Sequence, residues 1–523
     1  MLNHEVSWGD EAKGKAKPRC KPLNNEGTPS LDPVPTPGTQ FCVGATVLAS
    51  AILEKTGMLK DLKIVLGSAE DAVSVANLAM HAVITKNPLY CACREAEVQK
   101  FIGTFRLTSP RASEFLQRIG LDSALNVKMS TQRASHVADG SFIAIDSTEV
   151  PSRSRNICLT ELGKTKEGTF DTQVNVALLV NTQTGEPISY RMYAGNMHDI
   201  KSLPDQRKLW DEIGLKNKEI TFIGDRAYLS KEEAVELDQA GYKFLFGAKI
   251  GNSFIDKTID ERNSELFEPA NFIHNRRTYG IKENEVVVKA QGRETLLNTY
   301  VYRSTWKQEE EINELQTKLR EFEIKWSRAS ETTRQKMRRD SLFVFYDEED
   351  GTLKKNSIRF NEECYMKGFF ALAGNVDYGL VEALDRYKER NTIEVDFKLM
   401  FQHLLKSTRV HSTQSFEALM LVTFTGLCIL TYLNLRVKGI IDNENSPKGF
   451  SYINDLYTID ELLQNMRRIR LAYDAQGNPR LLNVVKRDLQ LMEALGFPNL
   501  LTDPKEVERL LSADALIKSL EEN

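Results

Sequence analysis

Histidine is scarce in this chain, with seven among 523 residues. The seven cysteines are scattered, and the one close pair, Cys91 and Cys93, has no second pair at zinc-site spacing. A zinc site is therefore not expected, and reduced thiols in a cytosolic protein are. No glycine-rich phosphate loop and no dinucleotide fingerprint occurs, which removes the ordinary nucleotide enzymes. The first twenty residues hold no apolar core of a signal peptide, so secretion is not expected. Long apolar runs are also missing, save Ala418 to Leu435, which is 18 residues without a charge. That length is the lower edge of a membrane span. Thr423, Thr425, Thr431 and Asn434 interrupt it, and a buried core helix with no membrane partner is expected instead. Charge of one sign is not in excess either: 69 basic against 73 acidic residues, net -4. Taken globally, that balance argues against a nucleic-acid partner.

What is present is ordinary in amount, 41% apolar and 27% charged, which excludes a wholly disordered chain. Length alone predicts about three to four domains, or one large domain with insertions. Six of the sixteen prolines lie between 18 and 38, just after a basic arm of Lys13, Lys15, Lys17, Arg19 and Lys21. We expect a disordered basic and proline-rich tail over 1–42. Helical apolar spacing follows (Val47, Leu48, Ile52, Leu53; Val73, Ala76, Leu78), with a helix start at Thr108-Ser109-Pro110. This predicts a helical N-terminal domain over 43–135, a candidate for DNA binding.

At 141 the pattern turns to strands: Phe142 to Ile145, Val174 to Val180, Ile188 to Tyr193, Ile220 to Ile223 and Tyr242 to Ala248. A helix is expected around Leu203 to Ile213, and Ser230-x-x-Glu233 opens another. Three meander strands and then strand–helix–strand crossovers predict an α/β fold, a ribonuclease-H-like mixed sheet with helices. The first part of this core is expected over 136–250. A β-rich and helical insertion domain is expected over 251–366, with strands near 285–288 and 299–302 and a long charged helix from Glu309 to Arg339. The second part of the core is expected over 367–438, with one long helix from about 376 to Lys406. A C-terminal helical region of unassigned role would cover 439–523.

Two acids occupy the same setting. Asp146 and Asp225 each follow a short apolar strand, where a carboxylate is held at the rim of a sheet. Glu394 is placed by helical geometry. At roughly 100° per residue, Tyr387, Arg390, Glu394 and Lys398 share one stripe, beside a core stripe of Ile393, Phe397, Met400 and Leu404. Alone, each has a plain structural explanation, a capping aspartate or an i,i+4 ion pair. Together, three carboxylates at one sheet edge suit hard divalent cations. Two such ions ~4 Å apart can activate an attacking oxygen and stabilise a leaving one in a phosphodiester.

These residues, Asp146 in IAIDST, Asp225 in IGDRAY and Tyr387-x2-Arg390-x3-Glu394, resemble the DDE transposases of bacterial insertion sequences. The nearest likeness is to the IS-4-like superfamily and its 1634-like branch. GEPISYRMYAGNMHD (185–199) and GFFALAGN (368–375) are similar to further stretches of that family. The resemblance implies a ribonuclease-H-like core with Asp146, Asp225 and Glu394 as catalytic and metal-binding residues. It implies Mg²⁺, with Mn²⁺ as a substitute. It also implies cleavage of transposon-end DNA, joining of the freed 3′-hydroxyl to target DNA, and action as a homodimer on DNA in the cytoplasm, at the nucleoid of a bacterium or archaeon. Tyr387, Arg390, Lys398 and Arg226 would contact DNA phosphates. The chain departs from the family pattern at Phe401, where a lysine is usual, at Asn391, and in DRAY for DRGY. The alternatives are a DNA-binding relative without catalysis, decayed or domesticated, and another metal-dependent nuclease on the same fold. Local basic clusters at 325–339 and at Arg386, Lys388, Arg390 and Lys398 outweigh the global charge as a guide to DNA contact.

Overall fold

The computed structural model describes residues 38–105, 107–165, 168–405, 408–441 and 458–522. The basic arm, the proline-rich stretch and Cys20 lie outside them. Strand β1 (Gln40–Cys42) precedes the N-terminal helices, and β2 (Phe142–Pro151), β3 (Glu161–Lys164), β4 (Phe170–Asn181) and β5 (Pro187–Ala194) form a meander. Then come β6 (Thr221–Gly224), β7 (Lys243–Ala248), β8 (Phe272–Ile273), β9 (Thr278–Ala290) and β10 (Arg293–Ser304). The hairpin β11 (Tyr346–Glu349) and β12 (Thr352–Lys355), the strand β13 (Phe369–Gly374), and β14 (Arg470–Tyr473) with β15 (Pro479–Leu482) complete the set.

Ten strands make one mixed sheet in the order β3-β4-β2-β6-β7-β13-β10-β9-β8, with β5 paired to β4 along the edge that β3 also uses. The pairs β2/β6 and β6/β7 are parallel; the others are antiparallel. β2 lies between two cores, which is why its start reads as a continuous apolar run rather than an alternating one. Ile143 and Ile145 face a core with Leu203, Trp210 and Phe222. Ala144 and Val150 face a second core that includes Ile393, Phe397 and the long apolar helix. The helix Asp199–Glu212 is clamped on the first face by Trp210, whose ring stacks on Phe222 at 3.9 Å.

The segment expected as a separate insertion domain adds β8, β9 and β10 to the main sheet, because β10 pairs with β13 from Asn298↔Gly374 to Arg303↔Phe369. Only its outer part is a satellite, packed around Leu315, Leu319, Phe322, Trp326 and Tyr346. The helix expected over 309–339 is two helices, Thr305–Arg328 and Glu331–Met337, because Ala329 adopts an extended backbone.

The boundaries at 42 and 439 also shift. β1 belongs to a three-stranded sheet with β14 and β15 rather than to a tail, and Phe41 pairs with Leu471. The helix Gly44–Lys55 lies so close to the helix Ile459–Met466 that a Cβ on Gly44 would stand 2.3 Å from the Met466 carbonyl oxygen. Ser50 Oγ donates to the Leu510 carbonyl at 2.7 Å. The N-terminal helices and residues 458–522 thus share a core.

The helix Thr413–Ile441 has the length and apolarity of a membrane span, yet 83% of an 18-residue apolar stretch of it is buried inside the protein. One carboxyl on it, Glu417, is pushed up to about 7 by burial, an effect that Arg191 only partly offsets. A carboxyl that holds its proton more tightly when folded loses stability as pH rises from about 4.5 to about 7. Glu417→Gln should therefore raise stability at pH 8 by about 1–3 kcal/mol. The gain should shrink toward zero near pH 5, as read from unfolding midpoints at the two pH values.

Candidate active site

The last registered pair between the parallel strands β2 and β6 is Ile145↔Gly224. The next residues are Asp146 and Asp225, so the two carboxylates emerge side by side where the pairing stops. Gly224 allows this approach, since a Cβ there would sit 3.1 Å from Ile145 Cγ2 and 3.2 Å from the Phe246 ring. Asp146 Oδ1 accepts the Ser147 backbone N–H at 2.8 Å. Asp225 Oδ1 accepts the Arg226 backbone N–H at 2.7 Å, and the Tyr387 hydroxyl lies 3.4 Å from it.

The helical segment after β13 delivers the remaining groups. It is not the single long helix expected. Leu380–Lys388 and Asn391–Leu399 are separate helices, and Met400–Leu404 is a π-turn. Between the two helices, the Arg390 N–H bonds the Tyr387 carbonyl three residues back, which tightens the chain locally. Glu389 anchors this break: its carboxylate accepts from Thr182 Oγ1 and from Arg386, both at 3.0 Å. Arg386 in turn covers the Phe142 ring at 4.3 Å.

Arg390 then reaches both sides of the site. Its Nη1 donates to Asp146 Oδ2 at 3.1 Å, and its Nη2 to Glu394 Oε1 at 2.7 Å. Its side chain is 13% exposed, against 54% for Glu394. Burial works against the charge on Arg390, but Tyr387, Asp146, Asp225 and Glu394 outweigh it and raise the guanidinium above its ordinary value. The Tyr387 phenol is pushed up to about 12 by burial and by the Asp225 charge.

Asp146 and Glu394 therefore meet through Arg390 rather than directly, while Asp225 is met by the Tyr387 hydroxyl. Among the described residues, no three histidine, cysteine, aspartate or glutamate side chains lie close enough to hold one ion together. Like charges repel at short range, and here the guanidinium compensates for them. The donor set is all carboxylate oxygen, with Asp146 on β2, Asp225 just past β6 and Glu394 on a helix, which fits a hard divalent cation. Asp146, Asp225 and Glu394 would hold such a cation once Arg390 turned away.

Tyr387 and Arg390 are thus brought to the aspartates. Lys398 is exposed, and among the described residues no hydrogen bond or ion pair joins it to the site. The Arg226 side chain is exposed, and only its backbone N–H meets Asp225. Phe401 packs against the core beneath the helix, and Asn391 is exposed at the helix start. Sequence reasoning missed Gly247 on β7. A Cβ there would meet the Tyr387 hydroxyl at 2.7 Å and the Arg226 nitrogen at 2.8 Å. Only the glycine within the apolar run Phe244 to Ala248 signals such a close approach.

The sequence profile of the Transposase DDE domain family matches residues 138–429, more than half the chain. This chain belongs to the transposase DDE domain family. The matched span contains Asp146, Asp225 and Glu394, the whole segment 251–366, and the first part of the buried helix Thr413–Ile441. No curated protein matches the sequence. Among solved structures, the cryo-EM structure of a piggyBac transposase synaptic complex with hairpin DNA aligns over 88% of this chain and 86% of that one. The identity is 11% and the TM-score 0.38. A likeness of that size says nothing about mechanism.

Proposed function

We propose that this protein is an active DDE transposase of the IS-4-like superfamily, in its 1634-like branch. It would cleave the ends of an insertion sequence and join the freed 3′-hydroxyl to target DNA. One observation carries the reading. Asp146 and Asp225 leave neighbouring parallel strands at the same level, and Arg390 ties Asp146 to Glu394 on the adjoining helix. The run β5-β4-β2-β6-β7, with β4 antiparallel to both its neighbours, supports a ribonuclease-H-like core. Two Mg²⁺ ions, or Mn²⁺ in their place, would supply activation of the attacking oxygen and stabilisation of the leaving oxygen. Asp146, Asp225 and Glu394 hold them in this reading. Arg390 exchanges its carboxylate partners for a DNA phosphate, which its fork of donors suits. Tyr387, held above its usual value, donates a hydrogen bond at neutral pH. Lys398 and Arg226, both exposed, are free to meet DNA. The partners are transposon-end DNA and target DNA, bound by a homodimer in the cytoplasm.

Purified protein with Mg²⁺ should cut duplexes bearing the inverted repeats that flank its gene. Binding without cutting in both Mg²⁺ and Mn²⁺ would instead identify a DNA-binding relative, a reading that Phe401 in the core favours. Equal cutting of DNA without those repeats would identify a general nuclease.

The satellite supplies a second expected result. Lys325, Arg328, Lys336 and Arg339 are exposed and outside any ion pair among the described residues. Arg338, by contrast, is engaged by Glu331 and Glu348. Replacing the four exposed residues by alanine should weaken end binding and reduce the slope of log affinity against log salt by about 3 to 4. An unchanged slope in a gel-shift titration would place the DNA elsewhere.

A further inference from the structure

We propose that Asp199 is a positioning residue for Asp146, acting through Ser147 from the face of the sheet opposite Glu394; this rests on the reading of Asp146 and Asp225 as metal-holding residues. Successive residues of β2 point to opposite faces. Asp146 faces Arg390, and Ser147 faces the core of Leu203 and Trp210. Past Ile145, β2 has lost β6 as a partner and keeps only β4, through Asp146↔Leu178 and Ser147↔Ala177. The strand is therefore held on one edge at the point where the carboxylate must be fixed.

Ser147 supplies the missing support. Its N–H donates to Asp146 Oδ1 at 2.8 Å, and its hydroxyl donates to Asp199 Oδ1. Asp199 begins the helix Asp199–Glu212, where Ser202 Oγ caps its carbonyl at 2.7 Å. That helix is fixed to the sheet by Leu203 and by Trp210 against Phe222. The approach to it is equally constrained. A Cβ on Gly195 would stand 2.0 Å from the Gln173 carbonyl oxygen, so the chain passes tightly over β4 before Asp199. The Gly195-Asn196-x-x-Asp199 spacing, which the catalytic reading leaves without a task, thereby gains one.

Tyr228 packs behind the turn that carries the second aspartate. Its N–H closes the turn onto the Asp225 carbonyl at 3.0 Å, and its side chain is fully buried. Its hydroxyl lies beside Ser147 without a well-formed hydrogen bond. Burial and the nearby Asp199 and Asp146 carboxylates keep this phenol protonated. Asp146 is thus referred to an anchored helix terminus.

Supporting groups behind metal ligands cost about 10–100-fold in affinity or activity when removed. Asp199→Ala and Ser147→Ala should each weaken Mn²⁺ binding to the full-length protein bound to terminal-repeat DNA by that factor, measured by electron paramagnetic resonance against the same DNA alone. Each should slow cleavage of terminal-repeat DNA to a similar extent. The double variant should lose no more than either single one, because both act through one hydrogen bond. Asp199→Asn should restore most of the binding, since its amide oxygen still accepts from Ser147. End-DNA affinity and thermal midpoint should stay near wild type throughout. Full Mn²⁺ affinity in Asp199→Ala, or losses that multiply in the double variant, would overturn the proposal. Wild-type protein that binds no Mn²⁺ would overturn the metal reading itself, and this inference with it.

Discussion

Asp146→Asn should reduce strand cleavage by at least about 10³-fold while binding of end DNA survives. Asparagine keeps the size of the side chain and the oxygen that accepts the Ser147 N–H at 2.8 Å. What it removes is the charge facing Arg390 at 3.1 Å and facing any cation placed beside Asp225. Charge stabilisation by a bound metal is worth several kcal/mol in the transition state, and each ~1.4 kcal/mol is tenfold in rate. DNA binding should hold or tighten, because the site becomes less negative next to a polyanion and Arg390 is released from one partner. Cleavage of terminal-repeat duplexes and a gel shift on the same DNA separate the two effects. Cleavage persisting in this variant would sink the assignment of Asp146, and loss of both activities together would point to misfolding.

Arg133→Met should cost about 3–5 kcal/mol of stability, the largest single effect expected outside the site. Arg133 and Asp61 are 2% and 3% exposed and meet at 2.9 Å. The same guanidinium donates to the Thr56 carbonyl at 2.9 Å and lies 3.8 Å from Glu186. It thereby joins the helix Met58–Leu66 of the N-terminal region to the helix Leu125–Ser135 that leads into β2. Methionine matches the stem but leaves the Asp61 carboxylate buried, with His136 at 3.2 Å as its remaining partner. An uncompensated buried charge costs far more than the pair contributes. The double variant Arg133→Met, Asp61→Leu should therefore be more stable than Arg133→Met alone. Urea unfolding of the three proteins tests this. A double variant less stable than the single one would show that packing, not charge, sets the cost.

How legible each feature was depends on the range of the interaction behind it. Runs such as Phe142 to Ile145 and Phe244 to Ala248 are apolar because both faces of those strands are covered, and that leaves a pattern in consecutive residues. The aspartates that follow Ile145 and Gly224 were visible for the same reason: they sit where an apolar run stops. The uncharged stretch from Ala418 to Leu435 could be read as a core helix because its threonines are compatible with burial in protein. The Tyr387, Arg390 and Glu394 stripe was found from an ideal helix, although the chain tightens at Arg390 and widens into a π-turn at Met400. A wheel survives such a change over one turn, and Lys398 lies exposed one turn beyond Glu394 in the same regular helix.

The sequence by itself determined the order of the main core strands and helices from Phe142 to Ala248, the two aspartates that follow apolar runs and the buried apolar helix, since each is encoded by neighbours along the chain. Only the tertiary structure decided that β10 pairs with β13, so that the inserted segment extends the main sheet. Only it decided that residues 458–522 complete the N-terminal core, and that Arg390 stands between Asp146 and Glu394. These outcomes depend on space and charge supplied by residues hundreds of positions apart. Gly247 leaves room for Tyr387, Gly44 admits the Met466 carbonyl, and two acids distant in sequence share one guanidinium. No local periodicity records such pairings, because the partners meet only after the sheet has brought them together.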